Sequence, residues 1–172
     1  MPGQSAPSGV LLGVDVGMAR VGVAASDPDG MLATPVKTLK RDLKKSSDIN
    51  VLLKLTSERD VQQIFVGLPR SMSGGETAST HMAREYADQL AIQLLTSGQQ
   101  HVQVRLVDER LTTVSAHRSL HQAGLDGRKH RSVVDQVAAV EILQQVLEMR
   151  RHGQLAPGEL VIPGNLKSGD VF

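Results

Sequence analysis

The sequence contains no cysteine and very few aromatic residues among its 172 positions. Without cysteine, a disulfide scaffold, a thiol nucleophile and any cysteine-ligated zinc or iron–sulfur site are excluded. Aromatic residues make up only 2% of the chain, so it lacks the stacking platforms on which single-strand-binding proteins hold successive bases. Leu, Val, Ile and Ala must therefore build the core.

An excess of one charge and long apolar runs are also missing. Nineteen Lys and Arg balance 18 Asp and Glu, so any argument for a nucleic-acid partner must come from local clusters of charge. No apolar run approaches membrane-spanning length, and the N-terminal MPGQSAPSG lacks the basic start and apolar stretch of a secretion signal. These absences predict a cytoplasmic protein with no membrane partner.

The distribution of Gly, Pro and Ser predicts one domain between two tails. Residues 1–9 are rich in all three and are expected to be disordered. Residues 153–172 carry Gly and Pro at short intervals, which predicts an extended or flexible tail. The intervening residues 10–152 have neither repeats nor low-complexity tracts and form the predicted domain.

Hydrophobic periodicity predicts an α/β fold. Val10–Val16 is apolar on both faces and Arg20–Ser26 alternates, while Asp29-Gly30 signals a turn before a third strand around 31–36. Further strands are predicted at 61–66 and 101–107, with helices at 46–59, 77–95, 112–122 and about 133–150. The prediction is a mixed five-stranded sheet, an antiparallel meander followed by parallel strands, with helices on both faces.

Acidic residues stand at the carboxyl ends of two predicted strands, where open α/β sheets hold their ligand crevices. Asp15 interrupts a buried strand, and an isolated carboxylate there costs several kcal/mol. Asp108 and Glu109 close the strand VQVRLV, and alternation places Glu109 on the face of Val107. The alternatives are a turn-capping role for Asp15 and a polar strand-to-helix junction at Asp108 and Glu109.

A further acid, Asp135, lies on the last predicted helix. It shares one line of the helical wheel with Ala139, Ile142 and Val146, so it points at the protein body. The alternative is a capping box, because Ser132 and Asp135 have the S-x-x-D spacing. Inward carboxylates from separate elements suit a hard cation with oxygen ligands, for which Mg²⁺ is the usual choice and Mn²⁺ a substitute.

Four stretches together carry a family resemblance: GVDVGMARVGVAASD (13–27), VGLPRSMSGGETAST (66–80), VDERLTTVSAH (107–117) and VVDQVAAVEILQQVLE (133–148). They resemble the YqgF or RuvX proteins, RuvC-like Holliday junction resolvases that are also implicated in maturing pre-16S ribosomal RNA. The resemblance implies a ribonuclease H-like nuclease with its acidic site on Asp15, Glu109 and Asp135. We therefore expect two-metal phosphodiester hydrolysis, in which Asp15 bridges the ions and the other two acids each complete one coordination sphere.

Basic residues near these acids are candidates for binding the phosphate backbone of branched DNA or structured RNA. The candidates are Arg20 and Arg110 beside the acids, and Arg118, Arg128, Lys129 and Arg131 around the glycine-containing loop AGLDGRK. The alternative for this cluster is a solvated charge run. A second basic run, Lys37 to Lys45, is interpreted as solvated surface.

Two other functions stay open on the sequence alone. Asp-x-Gly after a first strand also opens the phosphate-binding hairpin of actin-like phosphotransferases and ATPases, although a chain of 172 residues with one such hairpin is short for that class. A non-catalytic, nucleic-acid-binding ribosome-assembly factor would keep the fold without cleaving. Symmetric cleavage of a four-way junction would require a homodimer, which remains possible although no self-complementary surface is readable.

Overall fold

A computed structural model describes residues 9–109, 127–154 and 156–165, with residues 127–133 described by their backbone. The helix predicted at 112–122 and the candidate residues Arg110 and Arg118 lie outside the described residues. Within the described residues, no helix combines the length and the apolar character needed to cross a membrane.

One six-stranded sheet organises the protein. Its strands are β1 (Val10–Val16), β2 (Arg20–Ser26), β3 (Ala33–Lys40), β4 (Val61–Leu68), β5 (Gln103–Asp108) and β6 (Glu159–Leu160), in the spatial order β3-β2-β1-β4-β5-β6. β2 pairs antiparallel with both β1 and β3, whereas β4 pairs parallel with β1 and β5. This confirms the predicted meander followed by parallel strands.

The sixth strand adds to the five that the sequence predicts. β6 has only two residues and pairs antiparallel with Arg105 and Leu106 of β5. It comes from the segment predicted as an extended or flexible tail, and two residues are too few to show an alternating pattern. Two residues of this tail therefore form a strand of the sheet, with Pro and Gly residues in the turns on either side of it.

Helices cover both faces of the sheet, as predicted. α1 (Ser47–Glu58) and α2 (Ala78–Thr96) enclose the larger core, and α3 (Gly127–Arg151) encloses a smaller one on the opposite face. Alternation along β1 divides its side chains between the two cores, with Leu12 and Val14 in the larger and Leu11 in the smaller. Each face of the sheet is thereby buried.

Glycines inside the strands allow α3 to lie unusually close to the sheet. A Cβ added to Gly13 of β1 would lie 2.7 Å from the carbonyl oxygen of Ala139 and 2.8 Å from Leu143 Cβ. A Cβ on Gly22 of β2 would collide with the backbone carbonyl of Asp135. A glycine inside a strand pattern is a sequence signal for such a close backbone approach. These two glycines set the height of α3 above the sheet.

A buried tyrosine links α2 to α1 on the other face. The Tyr86 side chain is 3% exposed, and its hydroxyl donates a hydrogen bond to Asp48 Oδ2 at 3.0 Å. The guanidinium carbon of Arg41 lies 5.3 Å from the centre of the Tyr86 ring. Burial, followed by the adjacent Asp48 carboxylate, raises the pKa of Tyr86 far above its ordinary value.

Alkaline unfolding is expected to coincide with tyrosinate formation. A folded-state pKa above the unfolded value means that the stabilisation is complete below pH about 10 and is lost as the pH rises further. The chain has one tyrosine and no tryptophan, so tyrosinate absorbance reports Tyr86 alone. We expect this absorbance to rise together with the loss of helical circular dichroism. Ionisation of Tyr86 in a folded protein near pH 10 would contradict its burial.

The variant Tyr86→Phe provides the control for this titration. It leaves the buried Asp48 without a hydroxyl donor, so we expect the free energy of unfolding at neutral pH to fall by about 1–3 kcal/mol. The extra loss of stability above pH 10 should be smaller than in the wild type, because no tyrosine then ionises on unfolding. Denaturant titrations at several pH values measure both effects.

Candidate active site

Asp15 lies on the α3 face near the carboxyl end of β1. Alternation places it on the same side as Leu11 and Gly13, and it stands in register with Gly22 of β2. Because Gly22 has no side chain, the backbone of Asp135 in α3 packs directly over it. The register of β1 and β2 therefore brings Asp135 to the end of the sheet that carries Asp15.

Glu109 follows β5 directly and reaches across the neighbouring strand β4. A Cβ added to Gly67 of β4 would collide with Glu109 Oε1 and would lie 3.0 Å from Glu109 Cγ. The Asp15 side chain is close enough to Glu109 to lower its pKa as a hydrogen-bonding partner. Gly67 thus leaves the space through which two of the three predicted acids come into direct contact.

The electrostatics of this pair indicate what it can hold. Burial raises the pKa of Glu109, the hydrogen bond from Asp15 opposes that shift, and the nearby charge of Asp108 adds to it, so the net direction is upward. Two carboxyl groups can share a hydrogen bond only while one of them is protonated. A divalent cation could replace the shared proton and satisfy both carboxylates, so the donor set fits a hard metal ion.

Asp135 is placed beside this pair but is engaged by a different partner. Its Oδ2 accepts a hydrogen bond from Arg20 Nε at 3.1 Å, and its side chain is 19% exposed. Among the described residues, no group of three His, Asp or Glu side chains is arranged to hold a metal ion. The structure therefore brings Asp15 and Glu109 together and leaves Asp135 in an ion pair with Arg20.

Helix α3 excludes one alternative role for Asp135 and confirms the helix face on which the sequence places it. It begins at Gly127, so Ser132 lies inside the helix and cannot form the capping box with Asp135. The predicted inward line is confirmed, because Ala139, Ile142 and Val146 are buried. Gln144 of the same helix is half-buried, and its Oε1 accepts a hydrogen bond from the backbone N–H of Ala33 at 3.1 Å.

The early start of α3 also relocates three candidate cations. Arg128, Lys129 and Arg131 were predicted around a loop, but they lie on the first turns of the helix. The polar stretch from Gly127 has no apolar periodicity, so the sequence does not reveal it as helical. The eight residue-to-residue steps from Gly127 to Asp135 span about 12 Å of helix. Because Asp135 lies over Gly22 and the later Ala139 over Gly13, this first part of α3 extends past the sheet edge at Asp15.

Arg41 is a residue near the site that sequence reasoning missed. Its backbone N–H donates to the carbonyl of Ala19 at 2.9 Å and its Nη1 donates to the carbonyl of Gly17 at 3.3 Å. These two bonds hold the β1–β2 turn, which separates Asp15 from Arg20. In the sequence Arg41 is one member of a basic run, and nothing there distinguishes it from its neighbours.

Comparison with known proteins decides the family. A family model described as "RuvX: Holliday junction resolvase" matches residues 9–149. The chain belongs to the RuvX family. A protein of Frankia casuarinae named "Putative pre-16S rRNA nuclease" is 52% identical over 149 residues, covering 87% of this chain and 71% of the relative. A protein of the same name from Mycobacterium sp. (strain KMS) is 45% identical over 159 residues, covering 92% and 91%.

Two solved structures of Thermus thermophilus RuvC show the same fold as this RuvX-family chain. RuvC in complex with a Holliday junction substrate superposes with a TM-score of 0.55 at 10% identity, covering 88% of this chain and 99% of RuvC. A second RuvC structure gives a TM-score of 0.52 at 12% identity, with the same coverage. The predicted ribonuclease H-like fold is confirmed, and membership of a nuclease family confirms the prediction of a hydrolytic nuclease.

Proposed function

We propose that this RuvX-family nuclease hydrolyses phosphodiester bonds in structured nucleic acid, with Asp15, Glu109 and Asp135 as its cation ligands. The observation that carries the proposal is that Glu109 reaches across Gly67 of β4 on the α3 face, where Asp15 is its hydrogen-bonding partner. Such a pair must hold either a proton or a cation, because two bare carboxylates in contact repel each other. Mg²⁺ suits the pair because it needs few protein oxygens and retains several waters, and Mn²⁺ substitutes for it.

Asp135 is the third ligand in this proposal, and Arg20 is its partner when no cation is bound. The backbone of Asp135 is already fixed over Gly22, so only its side chain has to leave Arg20. The Arg20 side chain, 35% exposed, then becomes available to an oxygen of the scissile phosphate. Arg is well suited to this exchange because its guanidinium binds carboxylates and phosphates with the same geometry.

The remaining chemistry divides between the cation and the chain. When bound, the cation lowers the pKa of a coordinated water and stabilises charge on the leaving oxygen. Asp15 and Glu109 would bind the cation in their ionised form, releasing to solvent any proton that either carries. Arg41 keeps Asp15 and Arg20 in place by holding the turn between them.

The chain is expected to recognise the shape and backbone of its substrate. With aromatic residues at 2%, it has little capacity to stack bases, so cations should supply most contacts. The proposed contacts are Arg20, Arg110, Arg118, Arg128, Lys129 and Arg131. The family description and the names of the relatives point to a four-way DNA junction and a precursor of 16S ribosomal RNA, respectively. Symmetric cleavage of a four-way junction would need a homodimer. The proposed location is the cytoplasm, whose reducing conditions a chain without disulfides suits.

Cleavage of two labelled substrates tests the proposal. A four-way DNA junction and a structured pre-16S RNA fragment are incubated separately with Mg²⁺, with Mn²⁺ and with excess chelator. We expect cutting of at least one substrate in either metal and none in chelator, and the substrate that is cut identifies the polymer. If folded protein cuts neither, the proposal fails and a non-catalytic assembly factor becomes the better interpretation.

Cation binding should also stabilise the folded protein. A cation held only by the folded state raises the free energy of unfolding by about 2.7 kcal/mol when its concentration is one hundred times Kd. We expect Mg²⁺ to raise the Tm of the wild type at constant ionic strength, and Glu109→Gln to lose most of this rise. The control is Glu58→Gln on α1, which removes a carboxylate that is 57% exposed. Equal responses in the two variants would exclude Glu109 as a ligand.

A further inference from the structure

The carboxyl ends of β1 and β3 lie at the same edge of the sheet, because both strands run antiparallel to β2. β3 ends at Lys40, which stands in register with Arg20 of β2. Arg20 is therefore flanked by the strand of Asp15 on one side and by Lys40 on the other. Adjacent strands are about 4.8 Å apart, so the two steps from β1 to β3 span about 10 Å.

The register also decides which face of β3 each lysine occupies. Thr38 is in register with Gly22, and its hydroxyl accepts a hydrogen bond from Gln136 of α3 at 3.1 Å. Lys40 is two residues further along, so it shares the α3 face with the proposed site. Lys37 is in register with Val23, a residue of the larger core, and so lies on the opposite face.

The turn after β3 presents two more lysines at this edge. The Asp42 carboxylate accepts hydrogen bonds from the backbone N–H groups of Lys44 and Lys45 at 3.1 and 3.0 Å and from the hydroxyl of Ser47 at 2.7 Å. These bonds, the one from Lys45 foremost, lower the pKa of Asp42 to about 2. Asp42 is therefore ionised at neutral pH, and the turn keeps Lys44 and Lys45 exposed.

We infer that Lys40, Lys44 and Lys45, here called the β3-end lysines, bind the phosphate backbone of the substrate on the Arg20 side of the cleavage position. The inference rests on the proposed function and extends it to the path of the substrate. All three side chains are exposed, and none takes part in the ion pairs found within the described part of the chain. A group of carboxylates repels nucleic acid, so cations close to it are needed to hold the phosphate backbone there.

The spacing agrees with this assignment. One strand of a duplex advances about 3.4 Å per phosphate, so the distance of about 10 Å from β1 to β3 corresponds to roughly three nucleotides. The overhanging start of α3 carries Arg128, Lys129 and Arg131 above the same edge. Both groups of basic residues then lie toward β3 from Asp15, since α3 passes from Gly13 of β1 at Ala139 to Thr38 of β3 at Gln136.

Binding measurements with neutralised lysines test the inference. The protein carries Asp15→Asn throughout, so that bound substrate is not cut, and the probes are a labelled four-way DNA junction and a labelled pre-16S RNA hairpin. Affinities are measured from 50 to 200 mM salt for Lys40→Gln, for the triple variant Lys40→Gln, Lys44→Gln and Lys45→Gln, and for the matched control Lys37→Gln. Lys37 undergoes the same change of charge on the opposite face of the same strand.

Each lost phosphate contact should reduce the slope of log affinity against log salt by roughly 0.9 on duplex DNA, which is about an eightfold loss of affinity at 0.1 M salt. For Lys40→Gln we expect the loss of one phosphate contact, about eightfold in affinity, on at least one probe. The triple variant should lose more affinity, and Lys37→Gln should bind like the parent protein. Equal effects of Lys37→Gln and Lys40→Gln, unchanged affinity in the triple variant, or no binding of either probe would overturn the inference.

The outcome is independent of catalysis, because the protein used for binding is inactive by design. A wild type that cleaves, together with lysine variants that bind normally, would refute the role of the β3-end lysines and leave the nuclease proposal intact. A wild type that cuts neither substrate, together with weakened binding by Lys40→Gln, would refute the proposed function and retain the binding surface.

Discussion

Asp15→Asn is expected to abolish metal-dependent cleavage while leaving the fold intact. Asn has the shape of Asp but carries no charge, so the contact with Glu109 can persist while affinity for the cation is lost. Metal assistance contributes several kcal/mol to phosphodiester hydrolysis, and a loss of about 4 kcal/mol corresponds to roughly a thousandfold decrease in rate. Cleavage rates under single-turnover conditions measure this effect.

Stability separates this effect from unfolding. In the metal-free protein, Asp15→Asn replaces one acid of a hydrogen-bonded carboxyl pair, so Tm should be unchanged or higher. The matched control is Asp60→Asn, the same chemical change at an exposed position with φ of 53°, a conformation that Asn tolerates. It should cleave like the wild type. Undiminished cleavage by Asp15→Asn would exclude Asp15 from the reaction.

Gly22→Ala is expected to cause the largest loss of stability among single-methyl additions in β2. The new Cβ would collide with the backbone carbonyl of Asp135, and neither a strand nor a helix backbone can yield as a side chain does. Overpacking costs about 1–3 kcal/mol and occasionally more. A loss of about 3 kcal/mol would lower Tm by roughly 6–12 °C in a chain of this size.

The same substitution should weaken the site, because moving α3 away from β2 also moves Asp135 away from Asp15. Urea unfolding and the Mg²⁺ response of Tm measure the two consequences in one set of samples. Gly75→Ala serves as the control, since the nearest neighbour of its added Cβ is the Ser71 hydroxyl at 3.1 Å in an exposed loop. A Gly22→Ala protein within about 0.5 kcal/mol of the wild type would show that α3 is not held at this height by Gly22.

Much of the fold could be read from the sequence because its signals are local. The observed bounds of β1 and β2 match the predicted ones, since buried apolar runs are followed there by Asp and Gly turn signals. The start of α3 could not be predicted, because its first residues are polar and show no repeating pattern of apolar residues. The sequence also predicted that Asp15 and Glu109 lie at the carboxyl ends of two strands. In the structure these strands, β1 and β5, are the two neighbours of β4.

The contacts within the site depend on information that no local pattern contains. The reach of Glu109 across Gly67 requires the order of three strands, and the pairing of Asp135 with Arg20 requires the height of α3 above β2. The distinction between Lys37 and Lys40 likewise needs the register of β3 against β2. Sequence alone groups those two lysines in one basic run.

The short strand β6 protects the protein from self-association through its sheet. β5 would otherwise present an unpaired edge, and such edges recruit strands from other molecules. β6 covers Arg105 and Leu106, and the Arg105 side chain fastens the preceding turn by donating to the carbonyls of Pro157 and Gly158 at 2.9 and 3.0 Å. A chain shortened before this turn would leave the backbone N–H and C=O groups of β5 unpaired and open to strands of other molecules. Dimers formed in this way would result from the truncation and would be unrelated to the two-fold symmetry of a four-way junction.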